Sequence, residues 1–133
     1  MEIEYQGDLH CEAVHVQSGH RLATDAPLDN QGKGETFSPT DLVATGYATC
    51  IATILGILAR KHGTDLKGMK LTVIKEMAPK PTRRIGSLLV EIHMPPGVEP
   101  ALRQRFSHAA DLCPVGQSLH PDVETDVVIR YPD

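Results

Sequence analysis

The fold is decided by residues 37–63, FSPTDLVATGYATCIATILGILARKHG, which predict one long helix. Ser38 suits the N-cap position, Pro39 suits the first helical position, and Asp41 stands where the acid of a capping box belongs. Basic residues fill the last turn before Gly63, which is a natural left-handed cap. Both ends of the helix are therefore marked in the sequence.

The interior of this helix has no charged residue between Leu42 and Ala59. The run is long enough to span a membrane, but its threonines and glycines make it only weakly hydrophobic. The alternative is a helix buried on every side, and a chain of 133 residues has too little material to enclose it alone. We therefore expect a second copy of the chain to cover part of it. Small residues would allow its close approach: Gly46, Ala48, Thr49, Ala52 and Thr53.

Composition limits the kinds of protein that the chain can be. The formal net charge of −4 and the absence of any long Lys/Arg run give little support to nucleic-acid binding. The acidic N-terminus lacks the apolar segment of a secretory signal, and three widely spaced cysteines fit a reducing compartment. We expect a single cytoplasmic domain over residues 1–133, with no cofactor, metal, nucleic-acid or membrane partner.

The rest of the chain predicts strands on both sides of the long helix. Hydrophobic alternation indicates six of them: residues 2–6, 9–17 and 21–24 before the helix, and 69–77, 84–94 and 123–131 after it. A second helix is predicted from about Glu99 to Cys113, where Pro114 would end it. This order of strands and helices is typical of an α+β domain.

Cys50 and Cys113 fall on helix faces that are predicted to point inward. If the two helices pack together, the sulfurs could come within bridging reach, which requires Cα atoms closer than about 7 Å. Such a pair fits thiol redox chemistry, part of a metal site, or two inert core thiols. Cys11, on an edge-like strand, is interpreted as a passive thiol.

A redox-active cysteine must ionise, and burial disfavours the thiolate, so a positive charge has to be brought to Cys50. Arg21 is the only arginine before Cys50 and lies at the edge of the loop that leads into the helix. It is the first candidate for this role, and Arg83 and Arg84 come next.

Metal binding is the weaker alternative. His10, His15 and His20 are evenly spaced, but strand alternation would place His15 on the opposite face from the other two. The short paired spacings of cysteine and histidine that are typical of zinc sites are absent. We therefore expect no metal.

Two motifs together resemble the OsmC/Ohr family of thiol peroxidases. The first combines SPTDL at residues 38–42 with GYATC at residues 46–50, and the second combines CPV at residues 113–115 with SLHPD at residues 118–122. The resemblance covers about residues 21–131. It implies an OsmC-like α+β fold, with antiparallel sheets wrapped around a long buried central helix in an intertwined homodimer.

The resemblance also implies a peroxiredoxin-like activity in oxidative stress defence. Cys50 would attack the O–O bond of an organic hydroperoxide and become a sulfenic acid, and Cys113 would condense with it to a disulfide. A dithiol reductant, of the lipoyl type in the best-known branch, would then restore the thiols. Arg21 would stabilise the thiolate. Three residues are expected at the substrate: Thr40, Glu35 and Tyr47.

The chain departs from the family pattern at Thr40. Better-characterised branches carry a glutamate there, which anchors the activating arginine. The departure predicts either a less activated Cys50 or a different placement of Arg21. It also favours the alternative function, a dimeric OsmC-fold binding protein for a small apolar or thiol-reactive ligand with weak or no peroxidase activity.

Overall fold

The computed structural model describes all 133 residues and confirms the α+β architecture, with the long helix and all six predicted strands present. In chain order the elements are β1 Glu2–Tyr5, β2 His10–His15, β3 His20–Asp25, α1 Pro39–Lys61, β4 Lys70–Ala78, β5 Arg84–His93, α2 Pro100–Ala110, α3 Pro114–Ser118 and β6 Glu124–Arg130. The chain divides into two compact units, Met1–Val43 and Ala44–Asp133. Its organisation as a single domain stays a prediction.

The first unit is built on an antiparallel sheet in the order β1-β2-β3. Its only buried residues are Asp25 and Ser38, both polar, while apolar side chains such as Ile3 and Tyr5 are 65% and 63% exposed. A sheet with no buried apolar side chain lacks the main driving force for folding, so this unit requires a further packing surface. Cys11 lies on the middle strand β2, so its expected place at a sheet edge is wrong.

The buried carboxylate of Asp25, at the end of β3, holds the loop that leads to α1. It lies 2.5 Å from Nδ1 of His10 and accepts a hydrogen bond from the Glu35 N–H at 3.0 Å. The Asp25 N–H in turn donates to the Phe37 carbonyl oxygen at 3.0 Å. The bond with His10 lowers the pKa of Asp25, and the bond from Glu35 adds to this, against burial, which raises it.

Replacing Asp25 by asparagine is expected to lower the free energy of unfolding at pH 7. Because the pKa of Asp25 is lower in the folded than in the unfolded chain, its contribution is present above the unfolded value of about 3.9 and is lost as the pH falls through the folded value. Urea unfolding from pH 7 downwards should show the gap between Asp25→Asn and wild type shrinking below about pH 4. The exposed Asp126→Asn is the control, and a gap independent of pH would contradict the prediction.

The caps of α1 are those predicted. The Asp41 N–H donates to Oγ of Ser38 and the Ser38 N–H donates to Oδ2 of Asp41, both at 3.0 Å, which is a reciprocal capping box. At the other end Gly63 has a φ of +68°, and the Thr64 N–H donates to the Ala59 carbonyl oxygen at 2.9 Å. This closing bond is that of a Schellman motif, so local sequence fixes both ends of the helix.

Ser38→Ala is expected to lower the free energy of unfolding by about 1–2 kcal/mol. Ser38 is buried, so the substitution leaves the Asp41 N–H without its acceptor where water cannot easily replace it. Chemical denaturation measures the loss. Ser107→Ala, at an exposed position of α2, is the matched control and should change stability by no more than about 0.5 kcal/mol. Equal effects of the two substitutions would contradict the role of the cap.

The second unit packs helices on a sheet in the order β4-β5-β6. The β4–β5 pair is antiparallel, as predicted, whereas β5 and β6 are parallel. The parallel pair arises because the connection through α2 and α3 returns the chain to the end of the sheet at which β5 begins. The core of this unit includes fully buried residues from the sheet and both longer helices: Leu88, Val90, Ile92, Ile51, Leu55 and Phe106.

The second helix ends earlier than predicted. α2 stops at Ala110, and Cys113 is instead the N-cap of the short helix α3, with Pro114 at its first position. Proline ends a helix because it lacks the N–H that the interior needs, but the same property suits the first turn. The expected role of Pro114 as a helix stop is therefore wrong: it starts the next helix.

One face of α1 is left uncovered by the chain. By length and composition the helix could cross a membrane, and 33% of its most apolar 18-residue stretch is buried. Its buried residues belong to the hydrophobic core of the second unit, which identifies it as a core helix on that side. Thr49, Thr53 and Ile57 are exposed. The helix is thus not enclosed by a single chain, as the length of the chain predicts.

Candidate active site

Cys113 is held in the interior by the start of α3. The residue is 1% exposed, and its Sγ accepts a hydrogen bond from the Gly116 N–H at 3.2 Å. The Gln117 N–H donates to the Cys113 carbonyl oxygen at 3.0 Å. With Pro114 fixing φ at the first helical position, these bonds leave the sulfur little freedom.

Cys50, half-buried at the middle of α1, lies close enough to Cys113 to affect the pKa of that thiol, and both are free thiols. The structure therefore brings together the two cysteines that the sequence placed on inward faces. Burial raises the pKa of Cys113, and the neighbouring Cys50 raises it further, against the opposing effect of the Gly116 N–H. A buried thiol with a raised pKa stays protonated at neutral pH, so Cys113 is poorly suited to make a first nucleophilic attack.

The Tyr47 side chain is buried beside the two thiols. It lies one helical turn before Cys50 on α1 and is only 4% exposed. Burial raises the pKa of the Tyr47 hydroxyl, and interaction with the Thr125 side chain on β6 opposes this effect. Tyr47 thus belongs to the interior, and its contact with a substrate stays a prediction.

The close fit of Tyr47 against α3 favours glycine at position 116. A Cβ placed on Gly116 would lie 3.1 Å from Cε1 of Tyr47 and 3.2 Å from Sγ of Cys113, which is tighter than nine in ten natural Cβ contacts. Sequence reasoning missed both Gly116 and Thr125. The signal for Gly116 is the pattern CPVG at residues 113–116, in which a capping cysteine and a proline precede a glycine at the third helical position.

The other predicted site residues lie in the first unit. Arg21, on β3, is mostly exposed and bonds through Nη1 to Oε1 of Glu12 at 2.7 Å, and this bond lowers the pKa of Glu12. Oγ1 of Thr40 lies 3.2 Å from Oγ of Ser38 in the first turn of α1. Glu35 belongs to the loop that Asp25 holds. The predicted residues therefore form two groups: Cys50, Cys113 and Tyr47 in the second unit, and Arg21, Thr40 and Glu35 in the first.

The histidines do not converge on one point. His10 pairs with Asp25, while His15 lies directly opposite His20 on the neighbouring strand. The expectation that His15 faces away from His20 is wrong, because the turn between β2 and β3 reverses the chain and places cross-strand partners on the same face. No group of three or more His, Cys, Asp or Glu side chains is arranged to hold a metal ion.

Comparison with known proteins gives one family. A sequence model described as OsmC-like protein matches residues 32–128. No curated protein sequence matches. Among solved structures, that of an osmotic stress induced and detoxification response protein from Psychrobacter arcticus 273-4 is 44% identical, with a TM-score of 0.92 over 97% of this chain and 93% of that chain.

More distant structures share the fold. The organic hydroperoxide resistance protein OsmC from Legionella pneumophila is 18% identical, with a TM-score of 0.73 over 96% of this chain and 93% of that one. OhrB of Bacillus subtilis is 16% identical, with a TM-score of 0.72 over 97% and 96% of the two chains. At these identities the likeness shows the arrangement of helices and strands alone.

Proposed function

The chain belongs to the OsmC-like protein family, and we propose on this basis that it is a cysteine-based peroxidase that reduces organic hydroperoxides. The observation that carries the proposal is the proximity of Cys50 and Cys113, which come from distant motifs on α1 and at the start of α3. Relatives named for organic hydroperoxide resistance support the choice of substrate. We also propose that the protein acts in oxidative stress defence in the cytoplasm, where reducing conditions keep its thiols free.

The reaction has two chemical steps followed by regeneration. The Cys50 thiolate attacks one peroxide oxygen, an S–O bond forms, the O–O bond breaks, and the alcohol leaves with a proton. The resulting sulfenic acid is then attacked by the Cys113 thiol, so that an S–S bond forms and water leaves. A dithiol of the lipoyl type reduces the disulfide by exchange and is itself oxidised to a cyclic disulfide.

The different environments of the two thiols support this order of events. Cys50 is partly exposed and can meet a substrate, whereas Cys113 is enclosed. The raised pKa of Cys113 keeps it protonated until the sulfenic acid forms beside it. A resolving thiol needs proximity to the oxidised sulfur more than it needs nucleophilicity before that point.

We propose that Arg21 stabilises the Cys50 thiolate and that the substrate meets Thr40, Glu35 and Tyr47. For Arg21 to act in this way, its guanidinium must leave or share the bond with Glu12. Thr40 supplies no carboxylate that could compete with Glu12 for the arginine. This arrangement favours the weaker activation of Cys50 that the sequence predicts.

We propose further that the protein works as a homodimer. The uncovered face of α1 and the first unit, which has no buried apolar side chain, both require a packing partner. A second copy of the chain would supply it for both surfaces at once.

The proposal is tested by titrating the reduced protein with cumene hydroperoxide. We expect two thiols per chain to disappear for each peroxide consumed, peptide mapping to find a disulfide between Cys50 and Cys113, and dihydrolipoamide to restore the thiols. Oxidation of Cys11 in place of this pair would contradict the mechanism.

A second candidate function is a binding protein for a small apolar or thiol-reactive ligand. The pairing of Arg21 with Glu12 favours it, because an arginine already neutralised by a carboxylate is a weaker activator of a thiolate. In that case the peroxide would leave all thiols intact, and Cys50 would react with iodoacetamide no faster than a thiol in a short peptide.

A further inference from the structure

We infer that Tyr47 and Gly116 are positioning residues for Cys113. The ring of Tyr47 and the missing side chain of Gly116 together hold the Cys113 sulfur where it can reach Cys50. This role concerns the formation of the disulfide, so its place in catalysis rests on the proposed function, whereas the geometry that it fixes does not.

The first step of the argument is the contact between α1 and α3. A Cβ added at position 116 would meet the Tyr47 ring at 3.1 Å and the Cys113 sulfur at 3.2 Å, so one of them would have to shift by a few tenths of an ångström to admit a side chain. Gly116 therefore lies between the Tyr47 ring and the Cys113 thiol, and its N–H bonds to that thiol. Any displacement of Gly116 away from the ring must change the position of that sulfur.

The second step is the coupling of Gly116 to Cys113 through the backbone of α3. The Gly116 N–H donates to the sulfur at 3.2 Å, and the Gly116 carbonyl oxygen accepts from the Leu119 N–H at 3.3 Å. The Gln117 N–H holds the Cys113 carbonyl oxygen at 3.0 Å. These hydrogen bonds couple the positions of Cys113 and Gly116, and Gly116 packs against the Tyr47 ring.

The third step is the rigidity of the ring. Tyr47 is almost fully buried, Thr125 on β6 lies close enough to affect the pKa of its hydroxyl, and its backbone lies in α1 one turn from Cys50. The ring and the Cys50 thiol are thus carried by the same helix face. A fixed ring on α1 limits the distance between the two sulfurs, because Gly116, whose N–H bonds to the Cys113 sulfur, packs against that ring.

The consequence is a selective effect on the second chemical step. A disulfide needs its two sulfurs about 2.05 Å apart with a defined torsion, so its formation is sensitive to placement. A shift of about 1 Å can slow a positioned reaction by up to about 100-fold. Attack of Cys50 on peroxide does not involve Cys113 and should be spared.

The experiment uses Tyr47→Leu and Gly116→Ala in the full-length protein. Stopped-flow mixing with cumene hydroperoxide and trapping by dimedone measure sulfenic acid formation at Cys50, and mass spectrometry follows the disulfide. We expect disulfide formation to slow by about 10- to 100-fold in both variants. Sulfenic acid formation should stay within about threefold of wild type in Gly116→Ala, because Gly116 is not among the residues proposed to meet the substrate. Tyr47→Phe, which keeps the ring, should restore most of the rate of disulfide formation, and the exposed Tyr5→Leu controls for a general loss of aromatic area.

Oxidation by diamide, which takes up the two thiol hydrogens directly, measures closure of the same disulfide without any peroxide. If wild type forms no sulfenic acid but diamide closes the Cys50–Cys113 bond more slowly in both variants, the proposed function fails and the positioning role stands. Disulfide formation at the wild-type rate in both variants would overturn the role. Equal slowing of both chemical steps in Gly116→Ala would overturn it as well. So would slowing of disulfide formation by Tyr47→Phe as strongly as by Tyr47→Leu.

Discussion

Replacing Cys50 by serine is expected to abolish peroxide reduction, lowering the rate of cumene hydroperoxide consumption by about a thousandfold or more. A serine hydroxyl does not ionise at neutral pH and cannot take up the peroxide oxygen as a thiolate sulfur does. The remaining thiols cannot take its place. Cys113 is enclosed and protonated, and Cys11 lies in the sheet of the first unit.

Two matched variants make this expectation specific. Cys11→Ser should retain the wild-type rate, because that thiol has no part in the mechanism. Cys113→Ser should consume one peroxide per chain and then stop, with a sulfenic acid on Cys50 that dimedone captures. Peroxide consumption by Cys50→Ser at the wild-type rate would refute the peroxidase function, whatever the behaviour of the other two variants.

The ends of α1 could be predicted because the information is local. Ser38 and Asp41 bond to each other across the first turn, and the left-handed conformation of Gly63 closes the last turn. Such bonds join residues three to five positions apart, so a short stretch of sequence contains both partners. Alternation located the strands for the same reason.

The parallel pairing of β5 with β6 could not be predicted from alternation. A strand pattern of apolar and polar residues is the same whether its neighbour runs parallel or antiparallel. The direction depends on the crossover through α2 and α3, and the second of these helices was itself missed. Pro114 explains the miss, since a proline both ends one helix and begins another, and the sequence alone does not decide between the two.

In the candidate site, too, local patterns could be predicted, whereas contacts between neighbouring strands could not. The motifs around Cys50 and Cys113 placed both thiols on inward faces, and the structure brings them together. The partner of Arg21 was not foreseen, because Glu12 reaches it diagonally across the β2–β3 pair, in which Arg21 stands opposite Val14. Such contacts depend on the register between strands, which a single sequence does not specify.

The second large effect is expected from Thr53→Arg, which should convert the proposed homodimer into monomers. Thr53 lies on the uncovered face of α1, beside a groove of about 500 Å³ that Ile57 and Ala52 also line. The hydroxyls of Thr49 and Thr53 bond to carbonyl oxygens of their own helix, at 2.9 and 2.8 Å. Between Thr49 and Ile57 the face therefore presents mainly methyl groups and small side chains, while Arg60, Asp65 and Lys67 line the far side of the groove.

An arginine at position 53 would place a large charged side chain in the contact between two copies of the helix. Burying such a charge costs several kcal/mol, which corresponds to a rise of about a thousandfold in the dissociation constant of the dimer. Because Thr53 is exposed in the single chain, the substitution leaves the core intact, and circular dichroism should match wild type. Sedimentation velocity over a range of concentrations measures the change.

Gln104→Arg, an equal change of charge at an exposed position of α2, should remain dimeric. A dimer of undiminished affinity in Thr53→Arg would show that copies of the chain do not meet through this face of α1.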